Sequence, residues 1–337
     1  MAANPVLVEV VRGDAVESRH RGAAAVVDAA GRLVESWGDI GRPVYARSAA
    51  KPLQALPLIE SGAAARFRLT DIEIALACAS HSGEAEQTLV VAAWLERLGL
   101  SPTDLECGAH MPMDEAAARA IIRNGGQPSA LHNNCSGKHA GFLTAAVHLG
   151  EPTAGYIGLN HPVQQRVTAA LAEMAGFDAY RAPKGVDGCG IPVIGLSLEA
   201  LARGMARLGA PSSVLGEGRV AACRRIVTAM VAHPRTVAGT GRFDTIAMGA
   251  GRGAFATKTG AEGVYVVIAP GRGLGAALKI DDGASRAAEV AMAHLLDHLG
   301  LLDDAGRMGL SAYLAPRLRN WAGTPIGALR AAADWLS

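Results

Sequence analysis

Strand-like sequence is confined to the two ends of this chain, and that distribution limits its folds more than any other feature. Residues 5–12, 22–28 and 31–37 read as short β segments, with Val6, Val8 and Val10 alternating and Ala30-Gly31 marking a turn. Strand-like sequence returns only at about 244–248, 254–258, 263–269 and 274–281. Between these ends lie helical patterns near 49–61, 84–98, 114–123, 137–149, 161–175, 195–208 and 216–232, and helices near 285–300 and 325–336 finish the chain. Pro57 should kink the first of these helices, and Thr70 with Glu73 forms a capping-box pattern. The expectation is an α/β (α+β) architecture. The terminal strands form one mostly antiparallel sheet with flanking helices, and a helical subdomain is inserted between them. The boundaries read as a sheet subdomain over 1–47 and 240–337 and a helical subdomain over about 48–239, together one unit spanning 1–337.

Composition removes several classes of function. With 32 Lys+Arg against 31 Asp+Glu, the net charge of +1 lacks the basic footprint of a nucleic-acid or polybasic membrane binder. No apolar run approaches the roughly 18–20 residues of a membrane span, and Met1 to Asp14 lacks the pattern of a secretory signal. Five cysteines, an odd count without an export signal, suggest free thiols or metal ligands and a cytoplasmic location. Gly271-Arg272-Gly273-Leu274-Gly275 superficially suggests a phosphate loop, but without a following helix or a Walker lysine it reads as a hairpin turn.

Only five of the 32 basic residues are lysine (Lys51, Lys138, Lys184, Lys258 and Lys279), leaving 27 arginines. A lysine can lose its proton and a guanidinium effectively cannot, so these few are candidates for proton transfer. Ser48-Ala49-Ala50-Lys51 sits at a predicted helix start, where i,i+3 spacing puts amine and hydroxyl on one face. A neutral lysine there accepts the hydroxyl proton and makes the serine a nucleophile; alone, the pattern is as well read as a helix cap with a solvated lysine. Arg47, just before it, is a substrate anchor or a surface charge. Ser80-His81-Ser82-Gly83 follows an apolar helix, and Lys258-Thr259-Gly260 leaves a strand. These three elements, in this order, follow the serine β-lactamase and penicillin-binding plan. Ser82 stands where that plan expects Asn, which argues against a β-lactam substrate while leaving serine–lysine acyl transfer intact.

A second constellation is Asn133-Asn134-Cys135-Ser136-Gly137-Lys138-His139 with Gly185-Val186-Asp187-Gly188-Cys189-Gly190. Cys135 and Lys138 share a helix start, where a thiol pKa falls, and Cys189 lies between glycines that give its backbone many alternatives. Two thiolates and a third ligand suit zinc with one open or water position, although without a C-x-x-C pair two unrelated buried cysteines fit the spacing as well. Cys78, Cys107 and Cys223 read as core thiols.

Taken together, Arg47-Ser48-Ala49-Ala50-Lys51-Pro52-Leu53-Gln54, Ser80-His81-Ser82-Gly83-Glu84, His132 through His139, Gly185-Asp187-Gly188-Cys189-Gly190 and Lys258 through Gly263 resemble the rhizobial-type (class 3) L-asparaginase II family. The resemblance runs from about residue 10 to 330. It implies a serine β-lactamase and glutaminase-like fold, a homodimer, and hydrolysis of L-asparagine to L-aspartate and ammonia. It also implies two Ser–Lys tandems, Ser48–Lys51 and Ser80–Lys258, and zinc held by Cys135, Lys138 and Cys189. Substrate-binding positions would be Arg47, His139, Asp187 and Gly260. Two thiolates neutralise the charge of such an ion, so a role in shaping the substrate pocket is expected rather than generation of hydroxide. The competing expectations are a glutaminase, or a β-lactamase or peptidase on the same scaffold.

Overall fold

A computed structural model of the chain describes residues 3–336. Its strands are β1 (Val6–Arg12), β2 (Ala15–Asp28), β3 (Leu33–Trp37), β4 (Val44–Tyr45), β5 (Lys184–Val186), β6 (Pro192–Leu196), β7 (Ala256–Gly260), β8 (Val264–Ala269), β9 (Leu274–Ile280), β10 (Arg317–Arg319) and β11 (Pro325–Ala331). The helices that matter below are α1 (Lys51–Gln54), α2 (Leu56–Glu60), α3 (Ala63–Arg66), α4 (Asp71–Ala77), α5 (Ala85–Arg97), α6 (Glu115–Arg123), α7 (Ser136–Leu149), α8 (Pro162–Ala175), α9 (Leu198–Gly209), α10 (Glu217–Ala232), α11 (Pro234–Val237), α12 (Phe243–Gly251) and α13 (Ser285–His298). Two units are distinct: Met1–Ala49 with Leu196–Ala210 and Ile246–Ser337, and Ala50–Gly195 with Pro211–Thr245.

The first unit is built on an antiparallel sheet of order β10-β11-β1-β2-β9-β8-β7, with β3 also paired to β2. Every residue of β8 is buried, which requires cover on both faces, and its sequence Val-Tyr-Val-Val-Ile-Ala is accordingly a continuous apolar run. Helices α9 and α13 supply that cover. On β9, Gly275 allows α9 to come close: a Cβ there would stand 2.1 Å from the Ala206 nitrogen and 2.4 Å from the Ala202 oxygen. Helix α9 therefore belongs to the sheet unit although it lies inside the stretch 48–239 read as helical. The Gly271–Gly275 segment connects β8 to β9 as a tight turn.

The second unit is helical. Its centre is α7, buried along most of its length and packed against α2, α3, α4, α5 and α8. Trp94 of α5 is buried there, with its indole N–H on Thr144 Oγ1 at 3.0 Å. The expected helix over 49–61 is broken at Ala55 into α1 and α2, each with a proline in its first turn. The capping box on α4 is present.

Three expectations are corrected. Residues 244–248 lie in helix α12 and not in a strand, because a short apolar run has no period that separates the two states. Residues 325–331 form strand β11 and not a helix. Their alanines and leucine favour a helix locally, but pairing with β1 (Val8 opposite Ala331, Val10 opposite Leu329) overrides that preference. The Gly-Cys-Gly segment is not a loose loop: it is the turn of the β5–β6 hairpin, closed by Asp187 N–H to the Ile191 carbonyl at 2.8 Å and Gly190 N–H to the Asp187 carbonyl at 2.9 Å. Strand β2 also begins seven residues earlier than its apolar run, because residues 15–21 are mostly polar and pair with β1.

Candidate active site

In the helical unit, α1 starts at Lys51 and delivers it, only 1 % exposed, to the segment that follows α4. Its Nζ donates to the Ala79 carbonyl at 2.6 Å, to Ser80 Oγ at 2.9 Å and to the Asn134 carbonyl at 3.4 Å. Burial pushes the Lys51 pKa down and the Lys138 charge adds to that, against the opposing pull of the Cys135 and Cys189 thiols. The lysine of the first motif is therefore hydrogen-bonded to the serine of the second.

The Ser80 segment is locked from both sides. His81 N–H reaches the Asn134 carbonyl at 3.3 Å, and Ser80 N–H reaches the Val237 carbonyl at 3.0 Å. His81 Nδ1 accepts from Gly83 N–H at 3.1 Å, so its proton is on Nε2, directed at Ser136 Oγ at 2.8 Å. Ser136 Oγ in turn donates to the Leu131 carbonyl at 3.0 Å. Burial, with the neighbouring Lys51, holds His81 at about 3.

Cys135 caps α7, Lys138 lies one turn along it, and the β5–β6 turn brings Cys189 to both. Lys138 Nζ is 3.1 Å from Cys189 Sγ, and all three side chains are buried. The Cys189 thiol hydrogen-bonds Cys135 and holds its pKa well below the usual thiol range, with Lys138 and Lys51 helping against burial. The same bond, with burial, pushes Cys189 up. Burial acts to discharge Lys138, but the two sulfurs and Asp187 outweigh it and raise its pKa. The two sulfurs are thus pushed in opposite directions beside the Lys138 amine. Two sulfurs and a nitrogen are gathered in one buried cluster; the two thiols are of the type that binds zinc, and the lysine would join them only on giving up its proton. Among the described residues no group of three or more His, Cys, Asp and Glu is placed to hold a metal.

Of the expected substrate contacts, Asp187 is half-exposed at the hairpin turn, its Oδ1 accepting Gly188 N–H at 2.7 Å. His139 is fully buried, with Nδ1 2.8 Å from the Tyr156 hydroxyl and its ring against Phe142 and Tyr156. The Tyr156 oxygen accepts Glu106 N–H at 2.9 Å, which leaves its own proton for His139 Nδ1. These contacts of His139 are internal to the unit.

In the sheet unit, Ser48 lies in a 3-10 turn over Arg47–Ala50. Arg47 takes a positive φ of 52°, unusual for a residue with a side chain, and bends the chain just before the serine. Lys258 is fully buried in the middle of β7, opposite Val266 of β8, and its Nζ donates to the Thr259 carbonyl at 2.8 Å. Gly260 ends the same strand against the serine turn: a Cβ at Gly260 would stand 2.5 Å from the Ala46 oxygen and 3.2 Å from the Ala49 nitrogen. Its role here is to let the Lys-Thr-Gly strand lie directly on the backbone around Ser48. Cys78, Cys107 and Cys223 are buried free thiols, as expected. Sequence reasoning did not select Asn134 or Ser136; both sit inside the cysteine motif, but a backbone carbonyl and a supporting hydroxyl leave no residue-type signal.

The site therefore holds a serine hydrogen-bonded to a buried lysine whose pKa burial lowers, beside a cluster of two thiols and a second lysine. The sequence matches the family model described as L-asparaginase II over residues 8–331, and the chain belongs to that family. Comparison of the sequence with curated proteins finds no match. Among solved structures, Mglu in its native form is similar at 17% identity and a TM-score of 0.48, over 84% of this chain and 66% of that one. A second Mglu structure, in 4.3 M NaCl, matches over 62% of its length, so the chain spans just under two thirds of that protein. A β-lactamase from Mycobacterium bovis matches at 16% identity and a TM-score of 0.37, over 87% of this chain and 94% of that one. D-alanine carboxypeptidase AmpC from Burkholderia cenocepacia matches at 13% and 0.38, over 83% and 93%. No helix among the described residues is long and apolar enough to cross a membrane.

Proposed function

We propose that this chain is an L-asparaginase that hydrolyses the side-chain amide of L-asparagine by serine–lysine acyl transfer. The observation that carries the reading is the buried Lys51 amine on Ser80 Oγ at 2.9 Å. From an ordinary pKa near 10.4, discharging a lysine at pH 7 costs about 4.6 kcal/mol; burial and the Lys138 charge both work to remove that cost. Ser48, three residues before Lys51 in one continuous turn, is the nucleophile of this reading. It attacks the amide carbon and forms an aspartyl ester, and backbone N–H groups of its turn are oxyanion donors. Lys51 takes the serine proton. Ser80, bonded to that amine, is the next station toward the departing ammonia. Water then cleaves the ester and regenerates the serine. Lys258 is the second lysine of the scheme, held on β7 beside the Ser48 turn by the Gly260 contact.

Cys135, Lys138 and Cys189 would hold zinc, which when bound supplies positive charge and fixes the hairpin turn that carries Asp187. Asp187 is assigned to the substrate's amino group. Five buried free cysteines support a reducing, cytoplasmic setting, and the homodimer follows from the family resemblance. The test is ammonia release from asparagine, glutamine and a chromogenic β-lactam in parallel, with Ser48→Ala and Ser80→Ala beside the wild type. Asparagine turnover abolished by Ser48→Ala supports the reading. Turnover of the β-lactam without asparagine replaces it with the β-lactamase alternative.

A further inference from the structure

An asparagine has three ends to be held; the proposed reaction assigns groups to the amide and the amino group, and it assigns Arg47, a substrate contact expected from the sequence, to none of the three. The α-carboxylate requires a cation, and the helical unit offers one whose own contacts are weak. The segment from Val237 to Arg242 is fastened along the Ser80 segment. Ser80 N–H bonds the Val237 carbonyl at 3.0 Å, and Ser82 Oγ donates to the Ala238 carbonyl at 2.9 Å. Thr240 N–H and Arg235 both bond the buried Glu84 carboxylate. Gly239 makes the contact possible: it takes a φ of 129°, and a Cβ there would stand 2.3 Å from Ser82 Oγ. Arg242 is therefore placed by a rigid frame and not by its own side-chain bonds.

Those bonds are few. The Arg242 guanidinium touches Ser82 Oγ at 3.5 Å and Met113 Sδ at 4.0 Å and has no carboxylate partner among the described residues. Arg235, seven residues earlier, shows the contrast, being committed to Glu84 and Glu86. A half-buried guanidinium with five donors and such weak partners is incompletely satisfied. Ser82 lies two residues beyond Ser80 in a non-helical segment, a reach of about 6–7 Å. In extended asparagine the amide nitrogen and the carboxylate carbon are separated by about 5 Å, so a guanidinium beside Ser82 lies within reach of the carboxylate of a substrate whose departing amide nitrogen is at Ser80. Planar, bidentate carboxylate recognition is what arginine does best.

We propose that Arg242 anchors the α-carboxylate of the substrate and sets the enzyme's preference for a free amino acid over a simple amide. This rests on the amidohydrolase reading above. The test compares asparagine with β-alaninamide, the same amide without the carboxylate, in wild type, Arg242→Gln and Arg242→Lys, with thermal melts on all three. Wild type should favour asparagine by roughly 100-fold in kcat/KM, and Arg242→Gln should collapse that ratio to within about fivefold, mainly through KM. Arg242→Lys should keep part of the ratio, because charge survives and the fork does not. An unchanged ratio in Arg242→Gln overturns the assignment, and so does an equal loss on both substrates, which marks a structural residue. A wild type inactive on asparagine removes the amidohydrolase reading itself, a result distinct from an active wild type whose ratio ignores Arg242.

Discussion

Lys51 Nζ lies 2.9 Å from Ser80 Oγ, joining the lysine of one motif to the serine of another 29 residues away. The i,i+3 spacing in the sequence points Lys51 at Ser48, whereas the hydrogen bond the fold makes is to Ser80. In the proposed reaction this bond is the step that links the lysine to the departing ammonia.

Replacing Lys51 tests that role. Lys51→Met should lower kcat for asparagine by at least about 100-fold, the range of a lost general base. Lys51→Arg should be about as damaging, since the charge is kept and the removable proton is not. An arginine variant retaining more than a tenth of wild-type kcat would show Lys51 to be only a fixed charge.

Metal content tests the thiol cluster. Protein purified without added metal should carry about one zinc per chain by elemental analysis, and Cys189→Ala should lose it. Because Cys189 lies in the same closed turn as Asp187, that variant should raise KM for asparagine strongly. Acylation of Ser48 by a small reagent should change little. Full zinc occupancy in Cys189→Ala would contradict the ligand assignment.

Gly260→Ala addresses how the serine turn is held. The new methyl would meet the Ala46 oxygen at 2.5 Å, and backbone cannot yield as a side-chain tip does. Overpacking of this kind typically costs about 1–3 kcal/mol. A modest fall in melting temperature with a loss of kcat of about 100-fold or more is expected. A variant with normal kcat would show that the strand's close approach does not position Ser48.

Buried neutral histidines predict the acid limb of stability. Burial, with the Lys51 charge, holds His81 at about 3, and His139 is pushed well below its ordinary value by burial with the Lys138 and Lys51 charges. In the unfolded chain both titrate near 6.5, so the unfolded state takes up protons first as pH falls. The His81 contribution is fully present above pH 6.5 and is lost progressively toward pH 3, at about 1.4 kcal/mol per pH unit, and His139 acts in the same direction. Denaturant midpoints for His81→Asn should fall less steeply with acid than those of wild type over this window. Parallel slopes would show that His81 is protonated in the folded protein.

Much of this protein is legible in its sequence. The apolar runs of β8 and β9, the capping box at Thr70 and the caps of the long helices are local preferences that the fold keeps. The candidate site residues also stand out singly, because a lysine in an arginine-rich chain, a serine at a helix start and a cysteine between glycines carry chemical signals at one position. Partnerships do not. That Lys51 meets Ser80, that residues 325–331 abandon a helix for β1, and that Gly190 and Asp187 close the turn presenting Cys189 are outcomes of pairing between segments far apart in the chain. Their energies arise only when the segments meet, so no window of sequence contains them. Arg242 is the sharpest case: one of 27 arginines by sequence, it is singled out by the frame of hydrogen bonds that sets its guanidinium beside Ser82, with no acidic partner among the described residues.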